Sequence, residues 1–159
     1  MSEAKENVVE VLASLMEDYA WAIDRDELEQ WPNFFEEQCL YKITTADNEE
    51  QGYPFGVLYA DSRGMLADRV KSLREANIYE GQRYRHVVGR PKVFSSDGAV
   101  VSAETSFLVV RTMRTGEMLL FATGVYRDVV SFRGPKALFV ERVVVCDSSR
   151  IDTLLALPL

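Results

Sequence analysis

The sequence predicts an α+β domain in which amphipathic helices precede an antiparallel sheet and pack against it. Three observations carry this. Apolar residues in the first 80 positions recur at three- and four-residue spacing. Four long β-rich stretches follow, near 83–94, 99–113, 117–132 and 137–147. The turns between them, at Ser96-Asp97-Gly98, Thr115-Gly116 and Gly134-Pro135, are too short for a crossover helix, so consecutive strands run antiparallel. Helices grouped ahead of strands exclude a βαβ architecture. With 159 residues, no internal repeat and no low-complexity linker, residues 1–159 read as a single domain.

Residues 4–22 open the chain as an amphipathic helix, with Val8, Leu12, Leu15, Tyr19 and Ile23 on one stripe and Glu6, Glu10, Glu17 and Asp18 elsewhere. Asp24, three residues before Glu27, has the form of a capping box that opens a second, shorter helix through Leu28 and Gln30. Pro32 disfavours helical geometry at Trp31, so a break and a new turn through Phe34 and Phe35 are expected. Cys39–Thr45 reads as a strand and Asp47–Pro54 as a polar loop. Asp61 or Ser62 caps a third helix whose apolar face holds Leu66, Val70 and Leu73, with Asn77 in line.

Charge divides the chain in the same place. The net charge is −7 overall, −11 over residues 1–80 and +4 over the remainder. An acidic chain argues against nucleic acid or an anionic membrane as the main partner. The N-terminal segment is acidic and lacks the apolar core of a signal peptide, and no apolar run approaches roughly 18 residues, so a cytoplasmic location is expected. Cys39 and Cys146 stand alone and are expected to remain reduced thiols.

The strands depart from simple alternation. Phe107–Val110, Met118–Phe121 and Val143–Cys146 are apolar at both parities, so both faces of the sheet need cover over part of their length. The helices supply one layer; strong curling or a partner protein must supply the other. Leu154, Leu155, Leu157 and Leu159 would form an exposed apolar tail unless docked. An obligate oligomer is the expectation.

Signatures of common chemistry are absent: no GxGxxG, Walker loop, GxSxG or HExxH occurs. One His and two Cys cannot build a metal site that relies on several such ligands. Asp47-Asn48-Glu49-Glu50 lacks the spacing of a calcium loop, and Asp24, Asp26, Glu27 and Glu29 fit a helix N-terminus favoured by its dipole. His86 is the sole side chain suited to acid–base work near neutrality without a shifted pKa. It could act as a base in a sheet-lined cavity, assisted by Glu104, Asp128 or Glu141. With no orienting carboxylate visible nearby in sequence, a hydrogen-bonded strand position or an interface contact is the favoured reading. The strand carboxylates Glu104, Asp128, Glu141 and Asp147 are expected to pair with Arg111, Arg127 and Arg142.

Several stretches occur in one order over nearly the whole length. They are Glu29-Gln30-Trp31-Pro32-Asn33-Phe34-Phe35, Ala60-Asp61-Ser62 and Leu73-Arg74-Glu75-Ala76-Asn77-Ile78-Tyr79-Glu80. Arg83-Tyr84-Arg85-His86, Val145-Cys146-Asp147-Ser148 and Ala156-Leu157-Pro158-Leu159 complete the set. Together they resemble the small (β) subunits of Rieske-type aromatic-ring-hydroxylating oxygenases. The resemblance is to the branch acting on single-ring carboxylates of the terephthalate, salicylate, anthranilate and benzoate types.

The resemblance implies an NTF2-like (cystatin-like) cone, as in nuclear transport factor 2 and ketosteroid isomerase, with N-terminal helices on a strongly curved antiparallel sheet. It implies a catalytic α subunit as partner, in an α3β3 hetero-hexamer with β–β contacts. The α subunit would hold the Rieske 2Fe–2S cluster, which needs two Cys and two His, and a mononuclear Fe(II) bound by two His and a carboxylate. This chain would then carry no catalytic, cofactor or metal residues and would serve aromatic catabolism as architecture. Because the same fold hosts enzymes, the alternative is a stand-alone isomerase or scytalone-dehydratase-like enzyme using His86 or a buried carboxylate as base. Composition and placement nominate Arg83, Arg85, His86, Leu157 and Leu159 as subunit-interface candidates.

Overall fold

The computed structural model describes residues 2–54, 56–76, 81–150 and 157–159. Helix α1 (Ser2–Asp24) leads into a 3₁₀ segment (Leu28–Phe34), strand β1 (Phe35–Thr45), a short helix α2 (Ala46–Glu50), strand β2 (Leu58–Ser62) and helix α3 (Arg63–Ala76). Strands β3 (Gln82–Val88), β4 (Lys92–Asp97), β5 (Val100–Met113), β6 (Met118–Ser131) and β7 (Leu138–Cys146) follow. All seven strands join one sheet in the order β2-β1-β7-β6-β5-β3, with β4 also on β5. The α+β prediction and the expected turns hold, with Gly98 and Gly116 at positive φ in two of them. No helix among the described residues is long and apolar enough to cross a membrane.

Where the structure differs from the sequence reading, packing explains the difference. The sheet is antiparallel at every pairing but β1–β7, which is parallel. Short turns constrain only consecutive strands, and β1 meets β7 across most of the chain. The 3₁₀ segment runs through Pro32, where the break was expected, and holds Leu28, Trp31 and Pro32 buried. The stretch 83–94 is two strands, split at Gly89-Arg90-Pro91, that pair with different parts of β5. Helix α2 overlaps the expected loop Asp47–Pro54, strand β2 leads directly into α3, and Ser62 Oγ caps α3 by accepting from the Met65 N–H at 3.2 Å. Asn77, Leu154 and Leu155 lie outside the described residues.

Helix α1 buries the predicted stripe of Leu12, Leu15, Tyr19 and Ile23 against the concave face of the sheet. Its end is a Schellman turn: Asp26 sits at φ 59, the Glu27 N–H donates to Ala22 O (2.8 Å) and the Asp26 N–H to Ile23 O (3.1 Å). Asp24 is therefore the last residue of α1 and not the cap of a second helix, and its side chain is free for another task. Gly124 allows β6 and β7 to meet closely, since a Cβ there would lie 1.9 Å from Val145 O.

The three apolar runs have different fates. Val143–Cys146 is buried on both faces, with α2 lying against β7. Phe107 and Val109 point into the core, while Leu108 and Val110 are half-buried on the outer face. Met118, Leu119 and Leu120 remain exposed.

Candidate functional site

An isomerase or dehydratase needs a ligand-sized space between α1 and the concave face of the sheet. Between the middle of α1 and strands β6 and β7 that space is filled. The Arg142 guanidinium, fully buried, pairs side-on with Asp128, Nε to Oδ1 at 2.8 Å and one terminal nitrogen to Oδ2 at 2.9 Å. It lies 3.8 Å from the Tyr126 ring centroid, 4.2 Å from Phe139 and 4.3 Å from Tyr19, and donates also to the Met16 sulfur. Burial pushes the Asp128 carboxyl above the usual carboxylate range, against the pull of Arg142. Desolvation works against the Arg142 charge, but the Asp128 carboxylate more than offsets it and holds Arg142 protonated.

Beside this pair the last residues of the chain close the interior. The hydroxyls of Tyr19 and Tyr41 both donate to Leu159 O, at 2.7 and 2.9 Å. The Leu159 N–H donates back to Tyr41 (3.1 Å), and Trp31 Nε1 donates to the Tyr19 hydroxyl (3.1 Å). Leu157 and Leu159 are buried in the chain's own core. The described part of the apolar tail thus docks on this molecule.

Burial pushes the hydroxyls of Tyr19, Tyr41 and Tyr126 above the ordinary phenol range, with Arg142 pulling Tyr19 and Tyr126 the other way. A phenol kept protonated by the fold ionises more easily once unfolded, so stability falls as pH rises past about 10. Of the seven tyrosines, these three are expected to yield phenolate absorbance only together with loss of circular dichroism. Ionisation of all seven in a folded chain would contradict a dry interior. The Cys146 thiol, pushed up to about 11 by burial and then by Asp147, is likewise inert near neutrality.

His86 does have an orienting carboxylate, and it comes from 62 residues away. Asp24 Oδ2 accepts from the His86 backbone N–H at 2.8 Å, and Oδ1 lies 2.6 Å from Nδ1. One carboxylate thus meets both the backbone and the side chain of His86. The pairing resembles that of a general base, but the imidazole side chain is fully buried and, among the described residues, Nε2 meets no partner. A base must reach the proton it removes. Here the pair clamps β3 onto the end of α1. A cleft of about 700 Å³ opens nearby, lined by Asp24, Arg25, Arg83, Tyr84, Arg85 and Arg114 among others.

The other predicted charges disperse. Asp128–Arg142 is the expected cross-strand pair, whereas Arg127 reaches Glu49 on α2 (2.7 Å) and Asp147 accepts from Thr123 (2.9 Å). Asp26 and Glu29 grip Arg74 at 2.9 and 2.7 Å and so fasten α3 to the 3₁₀ segment. The hydrogen bonds from Arg74 hold the Glu29 carboxyl down at about 2. Nothing in the sequence marked Asp24 or Arg74 for these contacts, because both act on residues distant along the chain. Of the interface candidates, Arg83 and Arg85 are exposed, while His86, Leu157 and Leu159 are buried within the chain.

The residues do not fit an iron centre. Among those described, no group of three or more His, Cys, Asp or Glu could hold a metal, and a Rieske cluster needs two imidazoles where this chain has one.

Helices packed on one curved sheet, with the interior closed around Arg142 by the chain's own side chains, define an NTF2-like cone. Comparison with known proteins narrows the class. A family model for the ring hydroxylating beta subunit matches residues 19–153. The chain is 47% identical to subunit beta 1 of the terminal oxygenase component of terephthalate 1,2-dioxygenase from Comamonas sp., over 93% of this chain and 96% of that one. It is 38% identical to the anthranilate 1,2-dioxygenase small subunit of Burkholderia cepacia, over 91% and 90% of the two chains. A solved beta subunit assigned to an aromatic-ring-hydroxylating dioxygenase of Novosphingobium aromaticivorans superposes with a TM-score of 0.91 at 36% identity, covering 98% of this chain and 99% of that one. The chain belongs to the family of ring-hydroxylating dioxygenase beta subunits, and the stand-alone isomerase reading is set aside.

Proposed function

We propose that this chain is the architectural β subunit of a cytoplasmic oxygenase acting on a single-ring aromatic carboxylate, assembled as α3β3, with both iron centres in the α subunit. The observation that carries the reading is the packed interior: Arg142–Asp128, three tyrosines and Leu159 fill the cone between α1 and strands β6 and β7. The likeness to terephthalate and anthranilate dioxygenase subunits supports the substrate class. Arg83 and Arg85, exposed on β3, supply guanidinium groups open to a partner.

The test is co-expression of the tagged chain with the large oxygenase subunit of its own organism. The large subunit is expected to co-purify in equal number, and iron and acid-labile sulfide to follow it when the two are separated. Stoichiometric iron on the isolated small chain, or a tag that recovers no large partner, would overturn the reading.

A further inference from the structure

The outer face of the sheet is covered unevenly, and its bare regions lie at opposite ends of the strand order. At the β3 end, Arg85, Val110 and Leu120 stand in register across β3, β5 and β6, and Arg83, Thr112 and Met118 form the next row. Arg83, Arg85 and Val87 alternate with buried Tyr84 and His86, so they point outward. Met118 is 71% exposed, Leu120 67% and Val87 54%.

Arg74, Arg90, Arg127 and Arg142 are each tied to a carboxylate. Arg83 and Arg85 make no ion pair or side-chain hydrogen bond among the described residues, although the chain holds 25 acidic residues. Unpaired guanidinium groups beside exposed Met and Leu are the composition of an interface core and its rim.

At the β2 end the composition is the complement. Tyr59 and Asp61 flank the buried Ala60 and face outward, and Val57 precedes them. Tyr53 and Glu50 are exposed at the end of α2. One end of the sheet is therefore basic and aliphatic, the other acidic and aromatic.

We propose that the β3 end of one copy docks on the β2 end of a second copy, with Arg83 and Arg85 facing Glu50 and Asp61, and Met118 and Leu120 packing on Tyr53, Val57 and Tyr59. This rests on the proposed assembly and names the surfaces of its β–β contact. The two patches are different parts of one molecule, so the contact is head-to-tail and forms a closed ring where the rotation allows. A second copy is the occupant because this chain itself carries a surface of matching charge and apolar character.

Native mass spectrometry of the co-expressed complex, diluted in steps, tests the proposal with Arg85→Glu, Asp61→Arg and the two combined. All changes are at exposed positions, and thermal melts verify that the fold is kept. Each single change sets like charges against each other and is expected to raise the concentration at which copies of this chain separate by about tenfold or more. The double variant, which restores opposite charges in reversed order, is expected to recover most of that loss. Unchanged single variants, a double variant as weak as the singles, or Arg85→Glu detaching the large subunit while copies of this chain stay together would each overturn the proposal. A wild-type complex with one copy of this chain overturns it too, whereas a wild-type chain without any large subunit counts against the functional reading instead.

Discussion

Asp128→Ala is expected to cost about 3–5 kcal/mol, because it leaves the Arg142 charge buried without its carboxylate. A domain of this size holds roughly 5–15 kcal/mol in total, so the variant should sit close to unfolding at room temperature. At roughly 2–4 °C per kcal/mol the melting midpoint should fall by at least about 6 °C. The rings of Tyr19, Tyr126 and Phe139 around the guanidinium attract a cation, but they do not replace the two hydrogen bonds to Asp128. Removing both charges is a different matter. With Asp128→Leu and Arg142→Met together no ion remains to be desolvated, and Arg142 Nη1 already lacks a hydrogen-bond partner among the described residues. The double variant should recover most of the loss, as measured by urea midpoints. If Asp128→Ala melted within a degree of the wild type, the pair would have no structural role.

Removing Leu157–Leu159 is the second large effect. Leu157 and Leu159 are buried, and each such side chain lost from a core costs about 2–5 kcal/mol through transfer and cavity terms. The truncation also takes the acceptor from the Tyr19 and Tyr41 hydroxyls, a further penalty of about 1–3 kcal/mol for each buried group left unpaired. The shortened chain should lose its cooperative melt and bind a hydrophobic dye. Leu159→Ala, which keeps the backbone acceptor, should instead melt cooperatively at a lower midpoint, and the contrast separates side-chain packing from the hydrogen bonds. A truncated chain with wild-type stability would mean that these residues do not close the core.

The parts of this fold visible in the sequence are those encoded locally. The stripe of α1, the turns at Gly98 and Gly116 and the long hairpins of β5, β6 and β7 each follow from spacing within a few residues. What escaped depends on distant parts of the chain. Asp24 looks like a helix cap beside Glu27, yet its carboxylate serves His86 on β3. Asp26 and Glu29 look like a dipole-favoured helix start, yet they hold Arg74 on α3. The parallel pairing of β1 with β7 leaves no local signature because no turn joins them. The both-parity apolar runs did signal that two faces needed cover. They did not tell that α2 lies against β7 while Met118–Leu120 is left bare.

A histidine held by an aspartate invites a catalytic role, but the His86 side chain is fully buried and a base must reach the proton it removes. The pair couples the edge strand β3 to the end of α1 through two contacts from one carboxylate. Its loss should therefore be felt in stability, by about 1–3 kcal/mol for the buried group left without its partner, and not in chemistry.

Turnover of the assembled oxygenase per Rieske cluster, compared between the wild-type chain and His86→Ala at equal subunit content, tests this division of labour most directly. An unchanged rate constant in complexes that melt earlier is the predicted result. A hundredfold slower reaction in complexes of full mass and full iron would place His86 in the chemistry and contradict an architectural role for this chain.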